Sequence, residues 1–233
     1  GRRVVTDINP RHIFPFINTN ALFLGQWGLK KGKLTDAEYE KLMNDTARPV
    51  FERLQKQALQ QNFIQPKVVY GYFPVQSLGN ELIVYHPEEF DCAKCGCGVR
   101  HTNEIKPHKP PREQARLKLP RLQGRRSLCI TDFFRSTDSG QFDVLGVQLV
   151  TVGDAATELA NHLRERHEYQ EYLYLHGFGV ECAEGLAEFW HKRMRQELGF
   201  SSEDDPSVQK LFQQKYRGSR YSFGYPACPN LED

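Results

Sequence analysis

The residues best suited to ligand chemistry lie near the end of the chain, in residues 220–229, which read RYSFGYPACP. Gly224 permits backbone angles that are closed to other residues, and a ligand can approach its main chain closely. Pro226 and Pro229 fix φ and remove two N–H donors. The sequence therefore predicts a rigid loop beside the permanent cation of Arg220. Such a loop suits a zwitterionic ligand that carries a flat ring, because a guanidinium binds a carboxylate bidentately.

A second set of polar residues follows helical spacing. Glu184, Glu188, His191 and Arg195 stand at i, i+4, i+7 and i+11, so one face of a predicted helix carries all four. Two interpretations remain open from spacing alone. The face is a solvated ladder of ion pairs, or it is the polar wall of a ligand site.

A third set is a cluster of potential soft-metal ligands. Cys92, Cys95 and Cys97 form a C-x-x-C-x-C pattern with His101 close behind. Structural zinc takes four ligands, and a Cys₃His set could be assembled here. The alternative is a surface loop of free thiols. Elsewhere, we interpret Cys228 as a packing residue, since no base lies beside it, and Asp132 as a structural hydrogen-bond acceptor.

Composition limits the class of protein. The chain has 233 residues, 39% of them hydrophobic and 26% charged, with a net charge of +2. This is enough for one sizeable domain, and it lacks the strongly basic character of nucleic-acid-binding proteins. No apolar run approaches the roughly 20 residues of a membrane span. Uneven cysteine placement favours a reducing, cytoplasmic location.

The pattern of elements predicts an α+β fold with a mainly antiparallel sheet and helices before and after it. A capping box at Thr35–Glu38 opens a helix that Pro49 bends or splits. Strands are predicted at Lys67–Phe73 and Glu81–Tyr85, joined as a hairpin with a long loop.

The later part of the chain begins with residues 87–125, which are rich in proline and basic residues and predict an irregular surface excursion. After it we expect strands at Leu128–Phe134 and Phe142–Val152. Helices are expected at Gly153–Arg166, at Tyr169–Leu198 with an interruption near His176–Gly179, and at Pro206–Tyr216.

The segment R-x-x-x-G-Y-P-A-C-P resembles the reactivation, or S-adenosylmethionine-binding, domain of cobalamin-dependent methionine synthase. Further segments are similar to other landmarks of that family and occur in the family's order. They are Gly71–Pro74, Leu128–Phe134, Val152-Gly153, His176–Val180 and Ala183–Glu188. The resemblance runs from about residue 17 to the end of the chain. It implies one activation domain over residues 1–233, as a fragment whose family continues past Asp233.

The resemblance also implies which residues meet S-adenosylmethionine. Arg220 would contact its methionyl part, and the loop through Tyr221, Gly224 and Tyr225 would contact its adenosyl part. The carboxylate of Glu184 would lie at the same face. Two positions depart from the family: Asn18 stands where some members carry aspartate, and Gln214 stands where some carry glutamate. Both lose a charge.

The implied function is one module of a methyltransferase. The parent enzyme transfers a methyl group from methyltetrahydrofolate through cobalamin to homocysteine. When the cobalt is oxidised, this domain would dock on the cobalamin-binding domain, flavodoxin or a similar reductase would supply an electron, and S-adenosylmethionine would supply a methyl group. Two alternatives remain: a non-catalytic module that docks on a cobalamin protein or reductase, and a metal-binding protein centred on Cys92–Cys97.

Overall fold

A computed structural model describes residues 2–90, 105–124, 126–200 and 216–230. The protein is α+β, as predicted, with five strands and four α-helices in these residues. The strands are β1 (Arg3–Val5), β2 (Lys67–Leu78), β3 (Glu81–Tyr85), β4 (Glu113–Lys118) and β5 (Asp143–Thr151); the helices are α1 (Asp36–Leu42), α2 (Arg48–Gln61), α3 (Ala155–Glu165) and α4 (Tyr169–Glu197).

The strands form one antiparallel sheet around β2. One edge of β2 pairs with β5 over Lys67–Val75, and its other edge pairs with β1 and then with β3. Strand β4 completes the sheet by pairing with β3. The strand β2 is buried along most of its length, as expected of a central strand.

The hairpin between β2 and β3 is tighter than predicted. Because β2 continues past Phe73 to Leu78, only Gly79 and Asn80 remain as the connection, so the expected long loop is wrong. Gly79 has a φ of +59°. Two-residue hairpin turns of the favoured types require positive φ, and glycine adopts it without strain.

The N-terminal helices follow the sequence signals. Thr35 accepts a hydrogen bond from the backbone of Glu38, whose carboxylate accepts one from the backbone of Thr35, which confirms the capping box. A π-helical turn at Met43–Ala47 separates α1 from α2. Pro49 lies in the first turn of α2, where its missing N–H costs least.

Two expectations between residues 87 and 134 are wrong. The region 87–125 is not irregular throughout, because β4 forms within it and pairs with β3. Its polar sequence, EQARLK, is typical of an exposed edge strand. Leu128–Phe134 is not a strand. Its second half is a 3-10 helix, Ile130–Phe133, and Asp132 caps the start of this helix by accepting a hydrogen bond from the backbone of Cys129.

Helix α4 runs without the interruption expected near His176–Gly179. Its glycines serve close packing. A Cβ on Gly177 would lie 2.7 Å from Cβ of Gln26, and a Cβ on Gly185 would lie 3.3 Å from backbone atoms of residues 13–17. The N-terminal segment can therefore lie directly against the helix. No helix in the described part of the chain has the length and apolarity needed to cross a bilayer.

Two hydrophobic clusters hold the elements together. The larger one joins α2, α3, α4 and the N-terminal segment to one face of the sheet, and Phe178 at its centre is fully buried. The smaller one joins β2 and β3 to Cys129 and Cys228. The C-terminal loop is thus anchored on the sheet, while α4 lies beside it.

Replacing Asp132 by asparagine tests the anchor of the 3-10 helix. Asp132 accepts two hydrogen bonds from Arg121, at 2.7 and 2.8 Å, and one from the backbone of Cys129. The guanidinium and then this backbone N–H lower the pKa of Asp132 to about 2. The ionised carboxylate therefore stabilises the fold above its ordinary pKa of about 4, and this contribution is lost as the pH falls towards 2.

We expect the melting temperature of Asp132→Asn to lie below that of the wild type at pH 7, and the gap to close near pH 2. Thermal unfolding at a series of pH values measures this gap. Asp138→Asn, at an exposed position, is the control. A gap that is independent of pH would contradict the assignment.

Candidate functional site

A pocket of about 430 Å³ opens between α4, the N-terminal segment and the C-terminal loop. This volume lies within the range of small-molecule sites. Its lining consists of Phe16, Asn18, Ala21, Gln26, Val180, Glu181, Glu184, Glu188, Tyr216, Arg220 and Tyr225. Three separate parts of the sequence therefore contribute to one site.

The wall contributed by α4 is acidic. Glu181, Glu184 and Glu188 stand at i, i+3 and i+7, so their side chains share one face of the helix. The opposite stripe, with Leu186 and Trp190, is buried in the core. Packing of the apolar stripe therefore fixes the direction in which the carboxylates point.

Arg220 lies between two of these carboxylates. Its Nη2 is 3.3 Å from Oε2 of Glu184, and its Nε is 3.4 Å from Oε2 of Glu188. The arginine side chain keeps 24% exposure, whereas the Glu188 side chain keeps 9%. Nη1 donates to Oγ of Ser222 at 3.4 Å, so each guanidinium nitrogen has a protein partner, and a ligand would bind through the N–H groups that remain.

The carboxylate of Glu188 interacts with the side chain of Tyr216, and one of its two oxygens makes no hydrogen bond of ordinary geometry with the described residues. This oxygen is the buried Oε1. Buried polar atoms are nearly always satisfied, and an exception at a pocket wall indicates an expected water or ligand donor. The site accordingly fits a ligand that carries both a carboxylate for Arg220 and a donor group.

The C-terminal loop is a tight, internally bonded turn. Gly224 has a φ of +90°, which favours glycine, and its N–H donates to the carbonyl of Cys228 at 2.9 Å. The N–H of Cys228 donates in turn to the carbonyl of Tyr225 at 2.9 Å. These bonds leave Tyr225 64% exposed at the pocket mouth.

Cys228 packs as the sequence indicated. Its side chain is buried in the smaller hydrophobic cluster, and its Sγ is 2.9 Å from the carbonyl oxygen of Ser222. Burial raises the pKa of the thiol. A neutral thiol is a poor nucleophile, so the loop is a binding element rather than a thiol catalyst.

His191 and Arg195 lie on the same helix and support an aromatic residue of the pocket. Arg195 is 1% exposed, its Nη1 is 2.7 Å from Nδ1 of His191, and its guanidinium lies 4.0 Å from the ring centre of Tyr216. Burial, aided by the charge of Glu188, raises the pKa of Tyr216 to about 12. Neither His191 nor Arg195 lines the pocket, so this end of the polar face packs against Tyr216 and is not part of the pocket wall.

The N-terminal wall includes Asn18, whose acceptor is already in use. Its Oδ1 accepts hydrogen bonds from the backbone of Asn20 at 3.1 Å and of Ala21 at 3.2 Å. A carbonyl oxygen has two lone pairs, so these bonds occupy both. They open the π-helical turn Ala21–Gln26, a geometry that is frequent at functional sites. A direct bond from Asn18 to a ligand stays a prediction.

Four of the residues that the resemblance implies as contacts of S-adenosylmethionine line one pocket: Arg220, Glu184, Asn18 and Tyr225. Tyr221 and Gly224 belong to the same loop but lie outside the lining. Gln214, Cys92, Cys95, Cys97 and His101 fall outside the described residues, so the zinc prediction is untested. Within the described residues, no group of three or more His, Cys, Asp or Glu is arranged to hold a metal.

The sequence does not indicate Glu181 or Gln26 as site residues, and it leaves Glu188 open between an ion-pair ladder and the wall of a ligand site. The i, i+3, i+7 spacing of the three glutamates could have indicated a shared acidic face. Gln26 had no such signal, because its position depends on the contact of the N-terminal segment with Gly177.

Comparison with known proteins identifies the class. Residues 11–233 match the family model described as vitamin B12-dependent methionine synthase, activation domain. The chain therefore belongs to this family. The methionine synthases of Mycobacterium tuberculosis and Mycobacterium leprae are 38% and 37% identical to it over its full length. The chain spans 19% of the length of each of these relatives.

A solved structure supports the same fold. The reactivation domain of MetH bound to S-adenosylhomocysteine superposes with a TM-score of 0.78 at 22% identity. The match covers 98% of this chain and 66% of that structure. The α+β architecture is therefore that of an activation domain.

Proposed function

We propose that this chain binds S-adenosylmethionine and serves as the reactivation module of a cobalamin-dependent methionine synthase. The observation that carries the proposal is the position of Arg220. It is held by Glu184 and Glu188 at a pocket of suitable size, next to a rigid turn with an exposed tyrosine. Membership of the activation-domain family and the product-like ligand of the MetH structure support the same choice of ligand.

Different residues of the pocket would bind different parts of the ligand. Arg220 would bind the carboxylate of the methionyl group, since guanidinium–carboxylate pairs combine charge with directional hydrogen bonds. Glu188 Oε1, the unsatisfied buried acceptor, would accept from a donor of the ligand. Tyr225 would lie against the adenosyl part, with its exposed ring also facing any domain that docks at the pocket mouth.

The chain contributes position rather than acid or base catalysis. When bound, the sulfonium supplies an already activated methyl group, so no proton transfer is required from the protein. Fixing two reactants in line can supply about 7–11 kcal/mol of a reaction barrier. Arg220 is held by ion pairs and the turn at Gly224–Cys228 by backbone hydrogen bonds. Because both are fixed, they would hold the ligand so that its methyl group points in one direction.

The partners belong to the whole enzyme. The proposed parent reaction is methyl transfer from 5-methyltetrahydrofolate to homocysteine, giving methionine. The module would act on cobalamin presented by a neighbouring domain, with flavodoxin or a similar reductase as electron donor. A cytoplasmic location is part of the proposal, and the free thiols of Cys129, Cys182 and Cys228 are consistent with a reducing compartment.

Calorimetric titration of the chain with S-adenosylmethionine tests the proposal. We expect saturable one-to-one binding, with a rise in melting temperature that corresponds to about 2.7 kcal/mol at a ligand concentration of 100 times Kd. 5′-Methylthioadenosine, which lacks the amino-acid part, should bind much more weakly because Arg220 then has no carboxylate to bind. Absence of binding would refute the ligand assignment and favour the alternative of a docking module.

A further inference from the structure

Glu181 is a carboxyl group of the pocket wall that the proposed binding scheme does not use. It lines the pocket and is 5% exposed. Its Oε1 accepts a hydrogen bond from Nε2 of Gln26 at 3.4 Å. Within the described ranges, no Lys, Arg or His side chain forms an ion pair with it.

The other two glutamates of this wall differ in that respect. Glu184 and Glu188 share the positive charge of Arg220, whereas the partner of Glu181 is a neutral amide. Burial raises the pKa of Glu181, the hydrogen bond from Gln26 partly opposes this shift, and the charge of Glu184 adds to it. A buried carboxylate without a cation is unfavourable, and a cationic ligand would relieve that cost.

The pocket lining as a whole also carries an excess of negative charge. One guanidinium stands against three carboxylates, and the remaining side chains of the described lining are uncharged at neutral pH. When all three glutamates are ionised, the lining has two negative charges in excess. A ligand with an additional positive charge is therefore favoured over an isosteric neutral one.

The position of Glu181 on the helix indicates which part of the ligand its charge would affect. Three residues along an α-helix correspond to about 4.5 Å along its axis, so Glu181 lies roughly that far from Glu184, on the side away from Glu188. A ligand whose carboxylate binds Arg220 would extend a short methylene chain along this wall. Its sulfur would then lie within the field of Glu181.

We propose, on the basis of the function proposed above, that Glu181 makes the pocket selective for the sulfonium ligand over the thioether product. During methyl transfer the methyl group would pass to the reduced cobalamin of the neighbouring domain, which supplies the electron pair of the new bond. The C–S bond breaks and its electron pair stays on sulfur, so S-adenosylmethionine becomes S-adenosylhomocysteine, which is neutral at sulfur. The product loses the attraction of Glu181. The residue thus favours binding of the methyl donor and release of the spent product.

The test compares the two ligands on matched variants. Glu181→Gln removes the charge and keeps the shape and the contact with Gln26. We expect its Kd for S-adenosylmethionine to rise about tenfold, while its Kd for S-adenosylhomocysteine changes less than twofold. Glu158→Gln, at an exposed position on α3, should leave both constants unchanged. Titration calorimetry measures all of them.

A second variant provides a test that does not depend on whether Glu181→Gln folds. Glu181→Asp keeps the charge and should keep most of the preference for the sulfonium. An equal loss for both ligands in Glu181→Gln, or no change in either, would overturn the role of Glu181 and leave the proposed function standing. If the wild type binds neither ligand, the proposed function fails, and this inference fails with it.

Discussion

Replacing Arg220 by alanine is expected to weaken S-adenosylmethionine binding by about 100-fold while the fold remains intact. Hydrogen bonds to charged groups contribute about 1.5–3 kcal/mol, and a factor of ten corresponds to about 1.4 kcal/mol. Arg220 is the cation of the described pocket lining. Its loss would also leave Glu184 and Glu188 without their shared counter-charge, so an anionic ligand group would be repelled.

Two further variants sharpen this experiment. Arg220→Lys keeps a point charge but not the planar guanidinium, so we expect intermediate affinity. Arg166→Ala removes an arginine whose side chain is 73% exposed and pairs with Glu168, and it should bind as the wild type does. Circular dichroism establishes folding and calorimetry measures affinity. An unchanged Kd in well-folded Arg220→Ala would contradict the assignment of the carboxylate site.

Replacing Phe178 by alanine is expected to cost about 3–5 kcal/mol of unfolding free energy, the range for a large aromatic side chain deleted from a core. Phe178 is fully buried in α4, and its ring lies 6.1 Å from those of Phe14 and Phe51 and 6.5 Å from that of Phe63. One side chain thus joins α4 to α2 and to the N-terminal segment. For a chain of this size the melting temperature should fall by about 6–20 °C.

Phe133→Ala is the matched control, since Phe133 is 63% exposed. Deleting an exposed ring should change the unfolding free energy by less than about 0.5 kcal/mol. Denaturant titration of both variants gives the comparison. A loss below 1 kcal/mol for Phe178→Ala would mean that the packing of α4 on the N-terminal segment contributes little to stability.

The sequence predicts the elements that have a buried face. Strand β3 and the start of β2 occur at the predicted residues, and α1 begins at its predicted capping box. Such elements are specified by apolar periodicity and local caps, which are visible in the sequence itself. The edge strand β4 is missed because its side chains are exposed and polar, so its pairing with β3 leaves no periodic signal.

Two glycines explain why the sequence wrongly predicts an interruption in α4. Gly177 and Gly179 suggest a break, since glycine disfavours helix. The helix continues because tertiary contacts outweigh this preference: Gly177 faces Gln26 and Trp27, whose indole N–H donates to the carbonyl of Tyr174 at 3.1 Å. Local sequence cannot reveal such a contact, because its partners lie about 150 positions away.

The residues of the site also divide into those that the sequence indicates and those that depend on long-range contacts. Arg220 and Glu184 were identified from a motif and from the family resemblance, and both line the pocket. Glu181 and Gln26 were missed because their importance depends on proximity. The contact between them joins α4 to a π-helical turn, and only the fold brings the two together.

The most direct test of the account is the structure of this chain crystallised with S-adenosylmethionine. We expect the ligand in the pocket between α4 and the C-terminal loop, with its carboxylate oxygens about 3 Å from the guanidinium nitrogens of Arg220. A ligand bound at any other surface, or one in this pocket with its carboxylate turned away from Arg220, would contradict this expectation.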